Sequence, residues 1–295
     1  MADALRKAIH LGAHRLRALT GLSQTYRCGD TVVSLPAEHL LPAYQRIHPL
    51  YDRFLPLLVK HLEPGSWVID VGANVGDTLA AMIAANPALK FVCVEADEAI
   101  FRFLDRNVAK IVRVHPDATV RAVRAFVGQD VNGVDLAGAG GTRHAVEGGG
   151  SLRSQPLAEI LSQNGVAQPR LLKSDVDGFD FDVIDSAMPI LDADQTLVYF
   201  ECQFDNARQK AGYEVTLARL GERGFNRWTL FDNVGNKVLS TDRTADVFQL
   251  LDYVWKQNAR PGMRTIHYFD VLASGQRDSG LVDDVLRAYG EIAAQ

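Results

Sequence analysis

The chain has 295 residues, 47% of them hydrophobic, and a formal net charge of −5 at pH 7. This length and apolar content can bury one sizeable core with appendages, while the mild acidity and the lack of a long basic run argue against an extended nucleic-acid surface. No stretch approaches the roughly 18 apolar residues of a membrane span. The three cysteines (Cys28, Cys93 and Cys202) are odd in number and widely spaced, which is typical of free thiols in a reducing cytoplasm.

Residues 1–20 predict a basic amphipathic helix. Its basic side chains surround one apolar stripe, which is formed by Leu5, Ile9, Leu16 and Leu19. Such a helix packs on its own domain or on the second subunit of a homodimer, or it lies on an anionic membrane or another protein. We favour packing on its own domain or on the second subunit of a homodimer. The uninterrupted apolar core of a cleavable signal peptide is missing.

The next segment predicts a short hairpin and then a helical region. Residues 25–35 alternate around a Gly29-Asp30 turn, and residues 42–62 have helical periodicity that two prolines interrupt. We therefore assign residues 1–62 to an N-terminal helical extension that also contains the hairpin. Residues 63–295 are assigned to one main domain.

The segment from Trp67 to Thr78 predicts a strand, a tight glycine turn and a helix, which is the first unit of an open α/β sheet. Gly72 and Gly76 permit close backbone approach, and the free N–H groups at the helix start can bind an anion. The turn lacks the three-glycine dinucleotide pattern, and Asp70 would repel a pyrophosphate. An amino-acid zwitterion fits better, because its ammonium can meet Asp70 while its carboxylate meets the loop amides.

S-Adenosylmethionine carries such a zwitterionic head, so this turn predicts a methyltransferase that uses it. The loop residues expected to contact the cofactor are Asp70, Gly72, Ala73, Asn74, Gly76, Asp77 and Thr78. A nicotinamide-dependent sugar oxidoreductase is an alternative, although it requires the glycine pattern that this turn lacks.

The second buried strand, residues 91–95, also ends in an acid. Glu95 follows Gly76 by about 20 residues, the interval that places a carboxylate against a ribose diol. A carboxylate accepts two hydroxyl donors, so Glu95 is predicted to bind the ribose of adenosine. Asp97 is the better cap for the helix that follows, and we expect Ala96 and Asp97 to lie beside the cofactor.

A third strand and a glycine-rich segment come next. Residues 118–128 alternate as a strand near the sheet edge, and the adenine slot of such a fold lies just past it, bordered by Phe126 and Val127. Core packing of Phe126 is equally compatible with the pattern. Residues 132–151 show no periodicity and predict a functional loop or an irregular excursion. His144 and Ser151 could reach a substrate from there, although a solvated loop histidine is the favoured interpretation.

A second acidic cluster follows in the segment 170–180, where a strand runs into Asp175 and Asp177 and then into a helix. By the two-residue period of a strand, both carboxylates share one face. In a doubly wound sheet this strand neighbours the first one, so both acids can face the crevice. The strand 196–201 ends in another acid. A functional site explains best why four predicted strands end in or near an acid, namely Asp70, Glu95, Asp175 and Glu201.

The remaining chain continues the same alternation of helices and strands. We expect a Rossmann-like α/β fold with a seven-stranded, mostly parallel sheet flanked by helices, in which a hairpin-like pair comes late. The elements predicted after residue 201 are helix 213–224, strands 226–232 and 237–239, helix 244–258, strand 265–272 and a terminal helix from residue 281.

Four motifs resemble the FkbM family of S-adenosylmethionine-dependent methyltransferases, and the first and third are specific in combination. The family's lysine, aspartate and glycine stand here as Lys173, Asp175 and Gly178, whereas its two usual glutamates are the shorter Asp177 and Asp180. The motifs are IDVGANVGDT (residues 69–78), VEAD (94–97), LLKSDVDGFD (171–180) and YFEC (199–202).

The resemblance implies a class I methyltransferase that methylates a hydroxyl, commonly on a sugar, in polysaccharide, lipopolysaccharide or antibiotic and other natural-product pathways. The substrate oxygen attacks the methyl in line, and a carboxylate removes the proton as charge develops. Asp175 is the predicted anchor near the methyl, and Glu201 or Asp177 the base or hydroxyl acceptor. Open alternatives are N-methylation of an amino-sugar, a non-catalytic scaffold subunit in a polysaccharide assembly, and a divalent ion on these acids, which no spacing demands.

Overall fold

The structure is a computed structural model that describes residues 23–129, 132–137, 144–147, 152–259 and 266–294, with side chains described outside residues 130–152. The predicted helix over residues 1–20 therefore lies outside the described residues, and so does Ser151. His144 belongs to a described strand, but its side chain is outside the described set.

The N-terminal extension contributes a hairpin and two short helices. They are β1 (Gln24–Cys28), β2 (Thr31–Leu35), α1 (Leu41–Ile47) and α2 (Phe54–Val59). The elements that follow are β3 (Trp67–Val71), α3 (Asp77–Ala85), β4 (Lys90–Glu95), α4 (Glu98–Val114), β5 (Thr119–Arg124), β6 (Phe126–Val127), β7 (Asn132–Ala137), β8 (His144–Glu147), β9 (Leu152–Gln155), α5 (Leu157–Gln163), β10 (Leu171–Ser174), α6 (Asp180–Ala187), β11 (Leu197–Cys202), α7 (Ala207–Glu222), β12 (Arg227–Asp232), β13 (Lys237–Thr241), α8 (Thr244–Asn258), β14 (Phe269–Ser274) and α9 (Ser279–Ala293).

The central sheet has the strand order β13-β12-β14-β11-β10-β3-β4-β5. The strands from β11 to β5 pair in parallel, whereas β14 is antiparallel to both of its neighbours and β13 is antiparallel to β12. This order confirms the predicted Rossmann-like, mostly parallel sheet. The sheet has eight strands rather than seven, because both strands of the late hairpin, β12 and β13, join it.

The chain reverses its direction of progress through the sheet between β3 and β10. Ligands of open α/β sheets bind at such a switch point, outside the carboxyl ends of the strands. The register pairs Asp70 with Lys173 and Val71 with Ser174, so the two acid-bearing loops leave the sheet side by side. The fold thus brings together the glycine turn after β3 and the acidic segment after β10. These motifs are about one hundred residues apart in the chain, as the separation of Gly72 and Lys173 shows.

Each face of the central sheet is covered by its own apolar layer. Val68 packs into the layer with α2, α3 and α9, whereas Ile69 packs into the layer with α5, α7 and α8. Both side chains are fully buried. This two-sided burial explains why the parallel strands read as continuous apolar runs. Within the described ranges, no helix is both long and apolar enough to cross a bilayer.

The predicted hairpin is confirmed, and the fully buried side chain of Asn107 on α4 attaches it to the main sheet. Its Oδ1 accepts from the backbone N–H of Ser34 at 2.8 Å, and its Nδ2 donates to the carbonyl oxygens of Ser34 and Val75, both at 2.8 Å. Val75 belongs to the glycine turn after β3. One amide side chain therefore links the hairpin to the loop beside the switch point.

The loop between α1 and α2 is held over the sheet by the C-terminal part of the chain. The hydroxyl of Tyr289 on α9 donates to the carbonyl of Gly235 at 2.7 Å and to that of Leu50 at 3.3 Å. A Cβ on Gly235, where φ is +93°, would lie 2.6 Å from the Leu50 oxygen. These contacts place Tyr51 and Asp52 beside the carboxyl ends of β10 and β11.

Two stretches differ from the sequence prediction. The strand expected over residues 118–128 divides after Arg124, and β6 joins a separate four-stranded sheet with β9, β7 and β8. The prediction of a non-periodic excursion over residues 132–151 is wrong for the strands β7 and β8, which pair with each other in antiparallel register. The glycines that surround these short strands hide their local signal, and pairing with neighbouring segments determines them.

Two boundaries also moved. The helix expected from Tyr213 begins at Ala207, because Asn206 caps it by accepting a hydrogen bond from the backbone N–H of Gln209 at 2.9 Å. The strand expected over residues 265–272 is observed over Phe269–Ser274. Its bounds follow its pairing with both β11 and β12.

We predict that Asn107→Ala lowers the free energy of unfolding by about 2–4 kcal/mol, because it leaves buried backbone groups of Ser34 and Val75 without partners. Lys110→Ala is the matched control, since Lys110 reaches the same hairpin through the Ser34 hydroxyl at 2.7 Å but is partly exposed. It should cost less than about 1 kcal/mol. Urea denaturation measures both values, and equal losses would contradict the role of Asn107.

Candidate active site

Two loops meet at the carboxyl ends of β3 and β10. Gly72 has a φ of +72°, and a Cβ there would lie 1.9 Å from the carbonyl oxygen of Asp175. The N–H groups of Gly72 and Ala73 donate to Val94 at 2.9 and 3.0 Å, and that of Asp175 donates to Val71 at 3.1 Å. Only glycine permits this approach, so the pairing of the two loops explains the glycine of the first motif.

Lys173 lies directly beneath this junction. Its Nζ lies 2.9 Å from Asp70 Oδ1 and 3.5 Å from Asp175 Oδ2, and it donates to the carbonyl of Gly72 at 3.0 Å. Burial lowers the pKa of Lys173, but the neighbouring carboxylates of Asp70 and Asp175 outweigh burial and hold that pKa above its usual value. The ammonium therefore stays charged and ties both strands and both loops together.

Asp70 differs from its predicted position. Its side chain is 0% exposed and faces Lys173 beneath the crevice, so it does not present its carboxylate to a ligand. The contact between Asp70 and the ammonium of the cofactor stays a prediction, and in this arrangement the ammonium of Lys173 lies beside the Asp70 carboxylate. Asp70 instead acts on the loop through Lys173.

A narrow crevice extends from the junction past the ends of β4 and β6, and we call it the cofactor crevice. Eight of the predicted cofactor-binding residues line it: Gly72, Asn74, Glu95, Ala96, Asp97, Phe126, Val127 and Asp175. Ala73, Asp77 and Thr78 line a neighbouring, wider crevice instead. Gly76 lines neither and adopts a φ of +81° as the cap of α3.

Glu95 stands at the centre of the cofactor crevice. Its Oε2 accepts from the backbone N–H of Asn74 at 3.0 Å, and its Oε1 accepts from that of Asp97 at 2.8 Å. Each carboxylate oxygen retains acceptor capacity for a hydroxyl donor. Asp97 caps α4 by accepting from the N–H of Ile100 at 2.9 Å, which confirms the predicted cap.

The other side of the cofactor crevice is apolar. Ile100 and Phe179 face it together with the predicted Phe126 and Val127. Flat apolar walls beside a carboxylate suit a purine next to a ribose. Sequence reasoning missed Ile100 and Phe179, because both read as core-facing residues at the start of a helix, and no local signal separates these two roles.

The wider crevice opens on the other side of Asp175, and we call it the acceptor crevice. It has a volume of about 450 Å³, and Asp175 and Asp177 line it as well as the cofactor crevice. The N-terminal extension supplies much of its wall. The residues from that extension are His39, Leu40, Leu41, Tyr44, His48, Tyr51 and Asp52.

Carboxyl groups crowd the point where the two crevices meet. Glu201 is 4% exposed, and its Oε1 has no hydrogen-bond partner among the described residues. Burial raises the pKa of Glu201 well above its usual value, and Asp175 raises it further. Burial and Asp175 likewise raise the pKa of Asp177 to about 8. The structure therefore brings together the three predicted catalytic acids.

Asp180 braces the loop that carries these acids. Its side chain is fully buried, its Oδ1 accepts from the hydroxyl of Ser174 at 2.6 Å and from the N–H of Val176 at 3.2 Å, and its Oδ2 accepts from the hydroxyl of Tyr213 at 3.3 Å. The aspartate at position 180, which replaces the longer glutamate of the family, is thus fully hydrogen-bonded within the protein. In the part of the chain described here, no group of three His, Cys, Asp or Glu side chains has an arrangement that could hold a metal ion.

The sequence model of the FkbM methyltransferase domain matches residues 70–227, which is more than half of the chain. The chain belongs to the FkbM methyltransferase family. It is therefore an S-adenosylmethionine-dependent methyltransferase, as the four motifs predicted. No curated protein matches its sequence.

Several solved structures are similar to this FkbM methyltransferase at low identity. A methyltransferase FkbM from Methylobacillus flagellatus KT has 12% identity over 68% of this chain and 58% of its own, with a TM-score of 0.44. A precorrin-6y C5,15-methyltransferase from Geobacter metallireducens GS-15 has 12% identity over 75% and 86%, with a TM-score of 0.40. A predicted O-methyltransferase from Agrobacterium tumefaciens has 14% identity over 76% and 81%, with a TM-score of 0.40.

The cofactor crevice of this FkbM methyltransferase has the chemistry that S-adenosylmethionine requires. The backbone at Gly72 passes so close to the second loop that a side chain would close the space. The carboxylate of Glu95 faces the crevice, and Ile100 and Phe126 supply apolar walls. A zwitterionic end, a diol and a purine each have a matching surface.

We predict that Lys173→Met destabilises the protein by about 3–5 kcal/mol, because it leaves the buried carboxylate of Asp70 without its counter-charge. The double variant Asp70→Asn/Lys173→Met should recover most of that loss, since it removes both buried charges together. Denaturant unfolding of the two variants and the wild type measures the difference. A single variant as stable as the wild type would show that the ion pair does not support the junction.

Proposed function

We propose that the protein transfers the methyl group of S-adenosylmethionine to a hydroxyl of a sugar or of a glycan or natural-product intermediate. One observation carries this proposal: Asp175 lines both the cofactor crevice and the polar acceptor crevice. Beside it lies a buried oxygen of Glu201 that has no hydrogen-bond partner among the described residues. The acceptor crevice presents carboxylates, histidines, tyrosines and side-chain amides, which are the groups that bind polyhydroxylated ligands.

The roles in cofactor binding follow from the walls of the cofactor crevice. The backbone from Gly72 to Asn74 would hold the amino-acid end, and the carboxylate of Glu95 would accept the ribose hydroxyls. Phe126 and Val127, with Ile100, would pack on the adenine. When bound, S-adenosylmethionine supplies an electrophilic methyl group at a sulfonium.

Removal of the proton from the acceptor hydroxyl requires a base, which a carboxylate at the junction of the two crevices would supply. Glu201 is well suited, because a carboxyl group with a raised pKa is a stronger base than an exposed one once it is ionised. Asp175 would orient the hydroxyl and Asp177 is the second candidate base. As charge develops on the oxygen, the proton passes to the carboxylate, and the burial of Glu201 keeps water from competing for that position.

The sequence also supports proposals on the domain division, on the N-terminal helix and on the location of the protein. We propose that residues 1–62 form an extension to a methyltransferase domain over residues 63–295. The basic helix over residues 1–20 is proposed to pack on its own domain or a homodimer partner, with a membrane surface or another protein as the alternative. A cytoplasmic location fits a polysaccharide or natural-product pathway.

The crowded carboxyl groups at Asp175 argue against a non-catalytic scaffold, because a scaffold needs no buried base.

We predict that Asp175→Asn and Glu201→Gln each lower the rate of methyl transfer by about 10²–10⁴-fold, the usual contribution of a positioned acid–base group. Both variants should stay folded. Glu201→Gln should leave the dissociation constant for S-adenosylmethionine unchanged, because Glu201 is outside the cofactor crevice. The assay measures S-adenosylhomocysteine release over a panel of sugar acceptors, with the exposed Glu291→Gln as control. Near-normal turnover by Asp175→Asn would refute the assigned role.

A further inference from the structure

The acceptor crevice continues inward into a pocket beneath the N-terminal extension. This inner pocket shares Tyr51, Asp52, Glu201 and Tyr268 with the acceptor crevice and adds Asp270 from β14. Asp270 stands directly opposite Glu201 in the antiparallel register of β11 and β14. The pocket therefore begins at Asp175 and the proposed base Glu201, and it extends to Asp270.

The inner pocket has a surplus of carboxyl groups. Asp52, Asp175, Glu201 and Asp270 line it, and Lys173 is the one cationic side chain among its lining residues. The ammonium of Lys173 is already engaged by Asp70 at 2.9 Å. The Glu201 Oε1 atom is buried and has no hydrogen-bond partner among the described residues, which points to a ligand at this end of the pocket. A group that donates hydrogen bonds and carries positive charge would satisfy this pocket.

The cofactor does not account for this surplus. None of Asp52, Glu201 and Asp270 lines the cofactor crevice, whose acids are Glu95, Asp97, Asp175 and Asp177. A positive charge carried by the cofactor therefore lies next to that second set of acids. Of the four carboxyl groups of the inner pocket, Asp175 also lines the cofactor crevice. The other three are left for a different ligand, and the acceptor is the one that enters from this side.

Aromatic rings complete the inner pocket. Tyr51 and Tyr268 line it, above a cluster in which the rings of Phe54 and Tyr199 lie 5.7 Å apart. The hydroxyl of Tyr199 also hydrogen-bonds the carboxyl group of Asp270. Carboxylates combined with aromatic faces recognise ammonium groups, because the ring quadrupole attracts a cation and the carboxylate accepts its hydrogen bonds.

The inner pocket is also held in shape. Asp52 adopts a φ of +59°, an unusual backbone conformation for a residue other than glycine. The neighbouring carbonyl of Leu50 is fixed by the hydroxyl of Tyr289 and by close approach to Gly235. The loop that carries Tyr51 and Asp52 is therefore positioned by the body of the protein, as a specificity element requires.

We propose that the inner pocket binds the protonated amine of the acceptor, so that the substrate is an amino-sugar or a related amino-polyol. This inference rests on the proposed O-methylation and narrows its substrate class. An ammonium held by Asp52 and Asp270 has no free electron pair and cannot attack a methyl group. A hydroxyl of the same molecule, placed at Glu201, is then the group that is methylated. Acceptors with a carboxylate or a phosphate at this position are repelled.

Binding to the full-length protein saturated with S-adenosylhomocysteine tests the proposal. The probes are methyl glucosides that carry an amine at position 2, 3 or 6, the N-acetyl form of each, and methyl glucuronide. Calorimetry should show that at least one amine binds about tenfold tighter than its N-acetyl form, a difference of about 1.4 kcal/mol. Methyl glucuronide should bind the weakest.

The variants locate the effect. Asp270→Asn and Asp52→Asn should each reduce the preference for the amine, and the double variant should abolish it, whereas the exposed Asp105→Asn on α4 should retain it. Thermal melting confirms that the variants fold. The proposal is overturned if no amine is preferred over its N-acetyl form, or if the double variant keeps the preference.

Product analysis separates this proposal from the proposed function. Methylation of a neutral glucoside on oxygen without any preference for an amine would refute the cation pocket and leave O-methylation standing. Preferred binding of the amine without methyl transfer to any hydroxyl would support the cation pocket and refute O-methylation. Methylation on nitrogen would refute both, because an amine held as an ammonium in the inner pocket cannot attack the methyl group.

Discussion

The buried ammonium of Lys173 is the interaction on which the rest of the site depends. It contacts Asp70 and Asp175 and donates to the carbonyl of Gly72, so one charge joins two strands and the loops that follow them. Burying a charged lysine and a charged aspartate costs solvation free energy, and the attraction between the two charges offsets that cost. If one of them is removed, the other stays buried without this compensation. The pair itself therefore adds little net stability, whereas removal of one partner alone is costly. With the register in place, the two loops are close enough that only a glycine fits between them.

From this junction the protein builds two crevices with different chemistry. The cofactor crevice is made by the main sheet and α4, and it combines one carboxylate with apolar walls. The acceptor crevice is closed by the N-terminal extension, which the side chains of Asn107 and Tyr289 attach to the body of the protein. Asp175 belongs to both crevices. The part of the acceptor crevice that the extension supplies therefore lies outside the four family motifs.

Much of the fold and part of the site could be predicted from the sequence, and the division has physical reasons. Strand ends and glycine turns are local signals, so the cap by Asp97 and the acids at Glu95 and Asp175 were placed at the correct ends of strands. The partner of Asp70 was not predicted, because only sheet register brings Lys173 beside it. The same holds for Asp270, which meets Glu201 through antiparallel pairing of the last strand. The walls supplied by Tyr51 and Asp52 depend on how the extension folds back, and periodicity carries no information about that contact.

The most direct test of the account is the affinity of Gly72→Ala for S-adenosylmethionine, measured by calorimetry. A Cβ at this position would lie 1.9 Å from the carbonyl oxygen of Asp175, so the two loops must separate. Gly280→Ala on α9 is the control, since a Cβ there meets nothing within 4 Å. We expect the dissociation constant to rise by at least about tenfold for Gly72→Ala and to stay unchanged for Gly280→Ala. A folded Gly72→Ala protein that binds S-adenosylmethionine as tightly as the wild type would contradict the central role of the junction.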